Sequence, residues 1–287
     1  MKENISAAMF AASNALKPSQ KEDIYKLRDL LEEFGESVIL SEFLFAEEEC
    51  SEKTFASVSP GSPEQKAAEL NAYFANPRIK NIYDVSGGDL ANGILSYLDY
   101  DVIRASSAKY WGYSDNTTVI NAIYAMTGKS SILYQIRNLI GEDAEQKTQN
   151  FLEQDKLLDF NYEFLQGNHI EGVVLGGNIR CLLKLAGTKY LPDLSNKILF
   201  LESFSGRTAR IRSYFYQLEQ LGVFEETSGL ILGSFTELFE KDSKDSLLKI
   251  VEEIVPDRIP IACTDEIGHG ANSKALRIGE SLSLSRA

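Results

Sequence analysis

Ser114 stands where a short apolar stretch gives way to a helical one, and a hydroxyl at such a junction is placed for nucleophilic chemistry. Residues 108–113 (AKYWGY) read as a short aromatic strand, and Thr117 to Met126 carries the spacing of a helix that Gly128 would end. A turn between strand and helix exposes its central side chain and points the first free amides of the helix at any anion formed there. The amide of Asp115 would be among them, as part of an oxyanion hole. The same tetrapeptide, Gly112-Tyr113-Ser114-Asp115, also fits a plain helix cap by Ser114 or Asp115. With Asn116 in the fifth place, the Gly-x-Ser-x-Gly elbow is incomplete.

A serine nucleophile ordinarily needs a base, and the chain has two histidines, His169 and His269. His269 lies in Gly268-His269-Gly270, shortly after the apolar run Ile259-Pro260-Ile261-Ala262-Cys263, and glycine on both sides leaves room for a substrate. His169 follows Gln166-Gly167-Asn168 and reads as a linker residue. The third group is Glu202, which closes the apolar run Lys197-Ile198-Leu199-Phe200-Leu201. A carboxylate ending a buried strand is costly to desolvate unless paired. It could orient the His269 imidazole; an ion pair with Arg207 or Arg210 is the structural alternative.

The elements that must position these groups alternate between helix and strand. Glu22 to Phe34 places Ile24, Leu27, Leu30, Leu31 and Phe34 on one face, and Ser37 to Leu40 follows as a strand. Ser62-Pro63-Glu64-Gln65 is a capping box that opens a helix through Phe74. Ile79 to Val85 forms a strand that meets Gly87-Gly88, and a helix carrying Leu90, Ile94, Leu95 and Leu98 comes next. Gly141 to Leu158 is polar and reads as an exposed helix. In the second half, Gly172 to Leu175 is a strand, Gly176-Gly177-Asn178 a turn and Ile179 to Leu185 a helix, with strand-like runs at Ala275 to Ile278 and Ser281 to Leu284. Such alternation implies a mostly parallel sheet covered by helices, with ligands outside the carboxyl ends of its strands. Gly87-Gly88 and Ser114 both follow strands and so share that rim.

Several separated blocks, in one order, carry a resemblance to a known family: Ser86-Gly87-Gly88, Leu98-Asp99-Tyr100-Asp101, Gly112-Tyr113-Ser114-Asp115, Gly176-Gly177-Asn178, Leu199-Phe200-Leu201-Glu202 and Gly268-His269-Gly270. From about residue 60 onward the chain resembles the LD-carboxypeptidase family of serine peptidases, which includes microcin C self-immunity peptidases. The resemblance implies an α/β fold with an amino-terminal, mostly parallel sheet flanked by helices (residues 1–165) and a smaller, β-rich swivelling carboxyl-terminal domain (residues 166–287). It implies a Ser, Glu, His triad at Ser114, Glu202 and His269; the amides of Gly88 and Asp115, on the shared rim, are expected to form the oxyanion hole. The expected substrate is a small peptide or muropeptide whose terminal D-residue is joined to an L-centre, as in a murein tetrapeptide ending in D-alanine. Gly87 and Asn178 would help to bind it, and Arg210 would receive the free carboxylate unless it is simply an exposed arginine. An aminoacyl-nucleotide antibiotic is the alternative substrate, and a binding protein without catalysis is a second class. A homodimer is expected on the same footing.

The chain departs from the family at Leu133-Tyr134-Gln135-Ile136-Arg137, where a His-Gly-Pro-like segment is usual, and at Arg212-Ser213, where an Asp-Arg pair is common. Its first strand is expected at Ala8 to Ala12 before Ser13-Asn14, in place of the family's strand ending in a Ser-rich turn. Composition limits the remaining classes. A 287-residue chain that is 44% hydrophobic and 25% charged can bury two cores. Its net charge of −13 speaks against nucleic acid, which needs a cationic face. Cys50, Cys181 and Cys263 have neither metal-ligand nor disulfide spacing, so no metal, cofactor or disulfide framework is expected and a reducing compartment fits. No apolar run reaches the roughly 20 residues of a membrane helix. Lys2 and Glu3 spoil the opening segment as a signal peptide, so the cytoplasm is expected.

Overall fold

The computed structural model describes residues 5–46, 59–141 and 143–286; Cys50, Lys2 and Glu3 lie outside them. Two six-stranded sheets organise these residues. The first has the order β11-β5-β4-β3-β1-β2, built from β1 (Ala7–Phe10), β2 (Val38–Leu40), β3 (Asn81–Asp84), β4 (Lys109–Gly112), β5 (Ser131–Leu133) and β11 (Leu276–Ile278). All its pairings are parallel except that of β11 with β5. The second has the order β12-β7-β8-β9-β10-β6, built from β6 (Glu163–Gln166), β7 (His169–Asn178), β8 (Lys197–Ser203), β9 (Gly229–Phe235), β10 (Ile261–Cys263) and β12 (Ser281–Ser285). Here β7 to β10 run parallel and both edge strands run antiparallel. No helix of the described residues is long and apolar enough to cross a membrane.

The first sheet is buried on both faces, which is why its strands read as apolar runs. Ile82 and Tyr110 enter one buried cluster, whereas their neighbours Tyr83 and Trp111 point the opposite way into another with Met9, Ile24 and Leu27. The first cluster continues into the second half: Ile120 and Ile123 share it with Val174, Leu182 and Leu199. Helix Thr117–Thr127 is thus a common wall. Asn121 exchanges two hydrogen bonds with Gly176 across it, and the Asn178 amide donates to Thr117 Oγ1 at 2.9 Å.

Several expectations are met. β1 lies inside the first sheet between β2 and β3. The capping box at Ser62 and Gln65 is present, and Gly128 ends its helix at φ +74°. Others change. Gln166-Gly167-Asn168 is no linker: β6 and β7 are separated by two residues, and both belong to the second sheet. A division at 165/166 therefore cuts β6, and β11 returns from the carboxyl-terminal part to the first sheet. The reason is that β5 offers an open edge whose apolar face Leu276 and Ile278 complete. Helices such as Thr208–Gln220 and Lys244–Ile254 accompany the second sheet. The turn expected at Gly176-Gly177-Asn178 is the end of β7, which reaches Asn178. Residues 91–97 form a 3₁₀ helix, and the polar stretch after Gly141 forms two short helices, Ala144–Leu152 and Gln154–Leu158.

Candidate active site

The carboxyl ends of parallel strands from both sheets converge, with one candidate group from the first sheet and two from the second. Ser114 follows β4 after a single residue, in a 3₁₀ turn that runs into helix Thr117–Thr127. Its φ is +56°, a left-handed conformation that costs a serine about 1–3 kcal/mol and that the surroundings must hold. Glu202 is the sixth residue of β8, and in the parallel register its partner is Asn178 at the end of β7. His269 lies on the loop that follows β10.

These three side chains form one relay. His269 Nε2 is 3.0 Å from Ser114 Oγ, and His269 Nδ1 is 2.6 Å from Glu202 Oε2. Glu202 is fully buried and accepts two more hydrogen bonds, from Tyr113 Oη at 3.1 Å and Asn178 Nδ2 at 3.0 Å. Three donors around one buried carboxylate meet the requirement that a desolvated charge be paired. The alternative pairing with Arg207 or Arg210 does not occur: Arg207 binds Asp242, and Arg210 points into solvent from helix Thr208–Gln220. The Tyr113 ring also meets the imidazole edge-on, with centroids 4.8 Å apart. Burial, reinforced by Glu202, pushes the Tyr113 phenol far above its ordinary value, so it stays a donor. His269 therefore touches Ser114, Glu202 and Tyr113 and has little freedom to turn. A Cβ at Gly268 would lie 1.6 Å from Ser234 Oγ, so glycine there lets the loop approach β9 closely enough to deliver the ring.

The diglycine borders, through Gly87, the cavity that opens over Ser114. Gly87 and Gly88 follow β3 across from Ser114, and Gly88 has φ +134°, with a hypothetical Cβ only 2.4 Å from Asn14. Arg180 Nη2 donates to Gly88 O at 2.9 Å. The Asp115 side chain, which the sequence offers only as a cap, is a fully buried tie. Its carboxylate accepts from Ser13 Oγ at 2.6 Å and from the Ala91 amide at 2.8 Å, and it pairs with Lys184. The nucleophile turn, the turn after β1, the diglycine loop and helix Ile179–Leu183 with its following residue are thereby fixed to one another. Asp84 does the same beneath, accepting from the amides of Ala12 and Ser86, from Tyr110 Oη and from Asn116 Nδ2.

A cavity of about 210 Å³ opens over Ser114 and His269, and Gly87, Gln135, Arg137 and Asn138 line it. Two expected substrate contacts are corrected. Asn178 is buried and spends both ends of its amide on Glu202 and on the Cys181 amide, so it positions the relay. Arg210 does not line the cavity; Arg137 does. Sequence reasoning passed over Tyr113 as a partner of the triad, whereas the stretch 133–137, where the chain leaves the family pattern, does border the cavity through Gln135 and Arg137. His169 is exposed at the start of β7, 3.0 Å from Ser285 Oγ. Cys181 is buried and its thiol is pushed up by burial, as an inert side chain should be. A larger hollow of about 480 Å³ lies beyond the same 268–270 loop, lined by Tyr134, Lys147, Glu266 and Lys274.

Comparison with known proteins gives a consistent picture. The sequence profile of the LD-carboxypeptidase N-terminal domain matches residues 7–134, and that of the LD-carboxypeptidase C-terminal domain matches residues 171–284. The chain is 28% identical over 263 residues to the microcin C7 self-immunity protein MccF of Escherichia coli, covering 78% of this chain and 76% of that protein. It is 26% identical over 241 residues to a probable murein peptide carboxypeptidase of Bacillus subtilis, covering 79% and 75%. Among solved structures, an MccF-like protein from Bacillus anthracis superposes with a TM-score of 0.81 at 26% identity, over 100% of this chain and 95% of that one.

Proposed function

The chain belongs to the LD-carboxypeptidase family, and from that premise we propose that it is a serine carboxypeptidase acting through Ser114, His269 and Glu202. The observation that supports this is the continuous relay from Ser114 Oγ through His269 to Glu202, with steps of 3.0 and 2.6 Å. Ser114 Oγ attacks the carbonyl carbon of the scissile amide while His269 Nε2 takes the hydroxyl proton. Glu202 holds the Nδ1–H tautomer and stabilises the imidazolium. The oxyanion forms against the amides of Gly88 and Asp115. His269 then protonates the leaving amine, the C–N bond breaks, and water attacks the acyl-serine with His269 again as base.

The substrate class that fits is a peptide with a terminal D-residue on an L-centre, such as a murein tetrapeptide that releases D-alanine. The cavity over Ser114 is smaller than the roughly 300–1,000 Å³ of sites for drug-sized ligands, which suits a single small residue as leaving group. One observation favours a second substrate class, an aminoacyl nucleotide: Phe204 is 58% exposed with its ring centroid 5.0 Å from that of His269, a free aromatic face on which a base could stack. The test is to incubate the purified protein with a murein tetrapeptide and, separately, with an aminoacyl-sulfamoyl adenosine. Release of D-alanine supports the first reading, cleavage of the nucleotide alone supports the second, and cleavage of neither rejects both.

A further inference from the structure

Among the described residues, Arg137 is a cation with no carboxylate paired to it. It sits in the 3₁₀ helix Ile136–Ile140 just past β5, half-buried, and lines the same cavity as Ser114 and His269. No carboxylate of the described residues lies within ion-pair distance of it; its one close side-chain partner is Gln135 Oε1, which also accepts from the Arg137 amide at 3.3 Å. Asp84 and Asp23 act on it only from a distance. Burial pushes the guanidinium below its ordinary value, yet an arginine keeps its charge in a protein. A partly desolvated, permanently charged fork beside a nucleophile lacks the hydrogen-bonded anion such groups normally hold. Gln135 Oε1 lies 3.5 Å from its Nε, and no described residue hydrogen-bonds its two terminal nitrogens.

We infer that Arg137 is the receptor for the carboxylate of the residue that leaves. This rests on the peptidase reading and deepens it, because a fork fixed on one side of Ser114 selects peptides that end one residue beyond the scissile bond. A neutral carboxyl-terminal amide leaves the charge unpaired and is discriminated against. The expected preference for acid over amide is about 10- to 150-fold, the range for a hydrogen bond to a charged group.

The test measures binding, so it needs no turnover. Affinities of Ser114→Ala protein for a murein tetrapeptide ending in free D-alanine and for its carboxamide are measured by calorimetry, then repeated with Arg137→Met added. The acid binds at least tenfold more tightly in the first protein, and the two ligands converge to within about twofold in the second. Arg137→Lys, which keeps a charge but not the fork, retains part of the preference and serves if the methionine variant does not fold. A preference that survives loss of the guanidinium overturns the assignment. So does the absence of any preference, including the case in which only an aminoacyl-sulfamoyl adenosine loses affinity. Release of D-alanine by the unmodified protein is scored separately, so the receptor and the catalytic reading can fail independently.

Discussion

Replacing Glu202 with glutamine keeps the shape of the buried group and changes only which atoms can donate, and the surroundings leave it two orientations. If the amide oxygen stays towards His269 Nδ1 and Tyr113 Oη, the amide nitrogen faces Asn178 Nδ2, a donor 3.0 Å from the oxygen it replaces. Asn178 cannot turn over freely, since its own oxygen caps the Cys181 amide. That donor-against-donor contact in a buried site costs about 1–3 kcal/mol. In the other orientation the amide nitrogen faces His269, the imidazole must accept at Nδ1, and its proton moves to Nε2, where it points at Ser114 and cannot take the hydroxyl proton. At about 1.4 kcal/mol per decade, the productive arrangement falls to roughly a tenth or a hundredth of the population. Loss of the negative charge that stabilises the imidazolium adds to this, so kcat falls by about 10²–10⁴ while KM changes less than about threefold. Steady-state kinetics of D-alanine release, with circular dichroism to verify folding, measure it. A kcat within threefold of the unmodified protein would refute the role given to Glu202.

Three further outcomes follow from the surroundings of the site. Gly88→Ala forces a Cβ to within 2.4 Å of Asn14 at a φ of +134°, so kcat/KM falls at least about tenfold and stability by about 1–3 kcal/mol, read by kinetics and urea unfolding. Asp115→Asn removes the charge that holds Lys184, Ser13 and the Ala91 amide together and lowers stability by about 1–3 kcal/mol; an unchanged urea midpoint would show that the tie is dispensable. Lys66 is buried with its ammonium on Ser13 O, and burial lowers its value to about 8, opposed by Asp84 and Glu69. That lies below the roughly 10.4 of an unfolded lysine, so the unfolded chain binds the extra proton between the two values and stability rises with pH there. Against Lys66→Met, the unmodified protein gains stability from about pH 8 to about pH 10 in denaturant titrations, and parallel pH curves would contradict this.

What the sequence made legible was local. The capping box at Ser62, the glycine stop at Gly128 and the strand, turn and helix around Ser114 each depend on residues a few positions apart. Ser114, His269 and Glu202 could be chosen by chemistry because a chain with two histidines leaves few bases to consider. What stayed hidden depends on pairings distant in sequence. Nothing in Leu276 to Ile278 says that it closes the first sheet against β5, and a strand of two residues' separation from its predecessor reads like a linker. Arg137 and Arg210 look alike in sequence, but one lies on a 3₁₀ turn that borders the cavity and the other on an exposed helix face. Asn178 reads as a turn residue because Gly176 and Gly177 precede it. Both glycines adopt positive φ inside a strand, and the asparagine reaches Glu202 through the parallel register of β7 and β8.

Ser114→Ala bears most directly on the central claim. D-alanine release from a murein tetrapeptide is measured for the unmodified protein and for this variant, with thermal unfolding of both. Ser114 is half-buried and outside both cores, so the account predicts the same unfolding transition and a kcat lower by at least about 10³-fold. Release by the variant within tenfold of the unmodified rate would contradict it and would reduce Ser114 to the cap of the helix that follows.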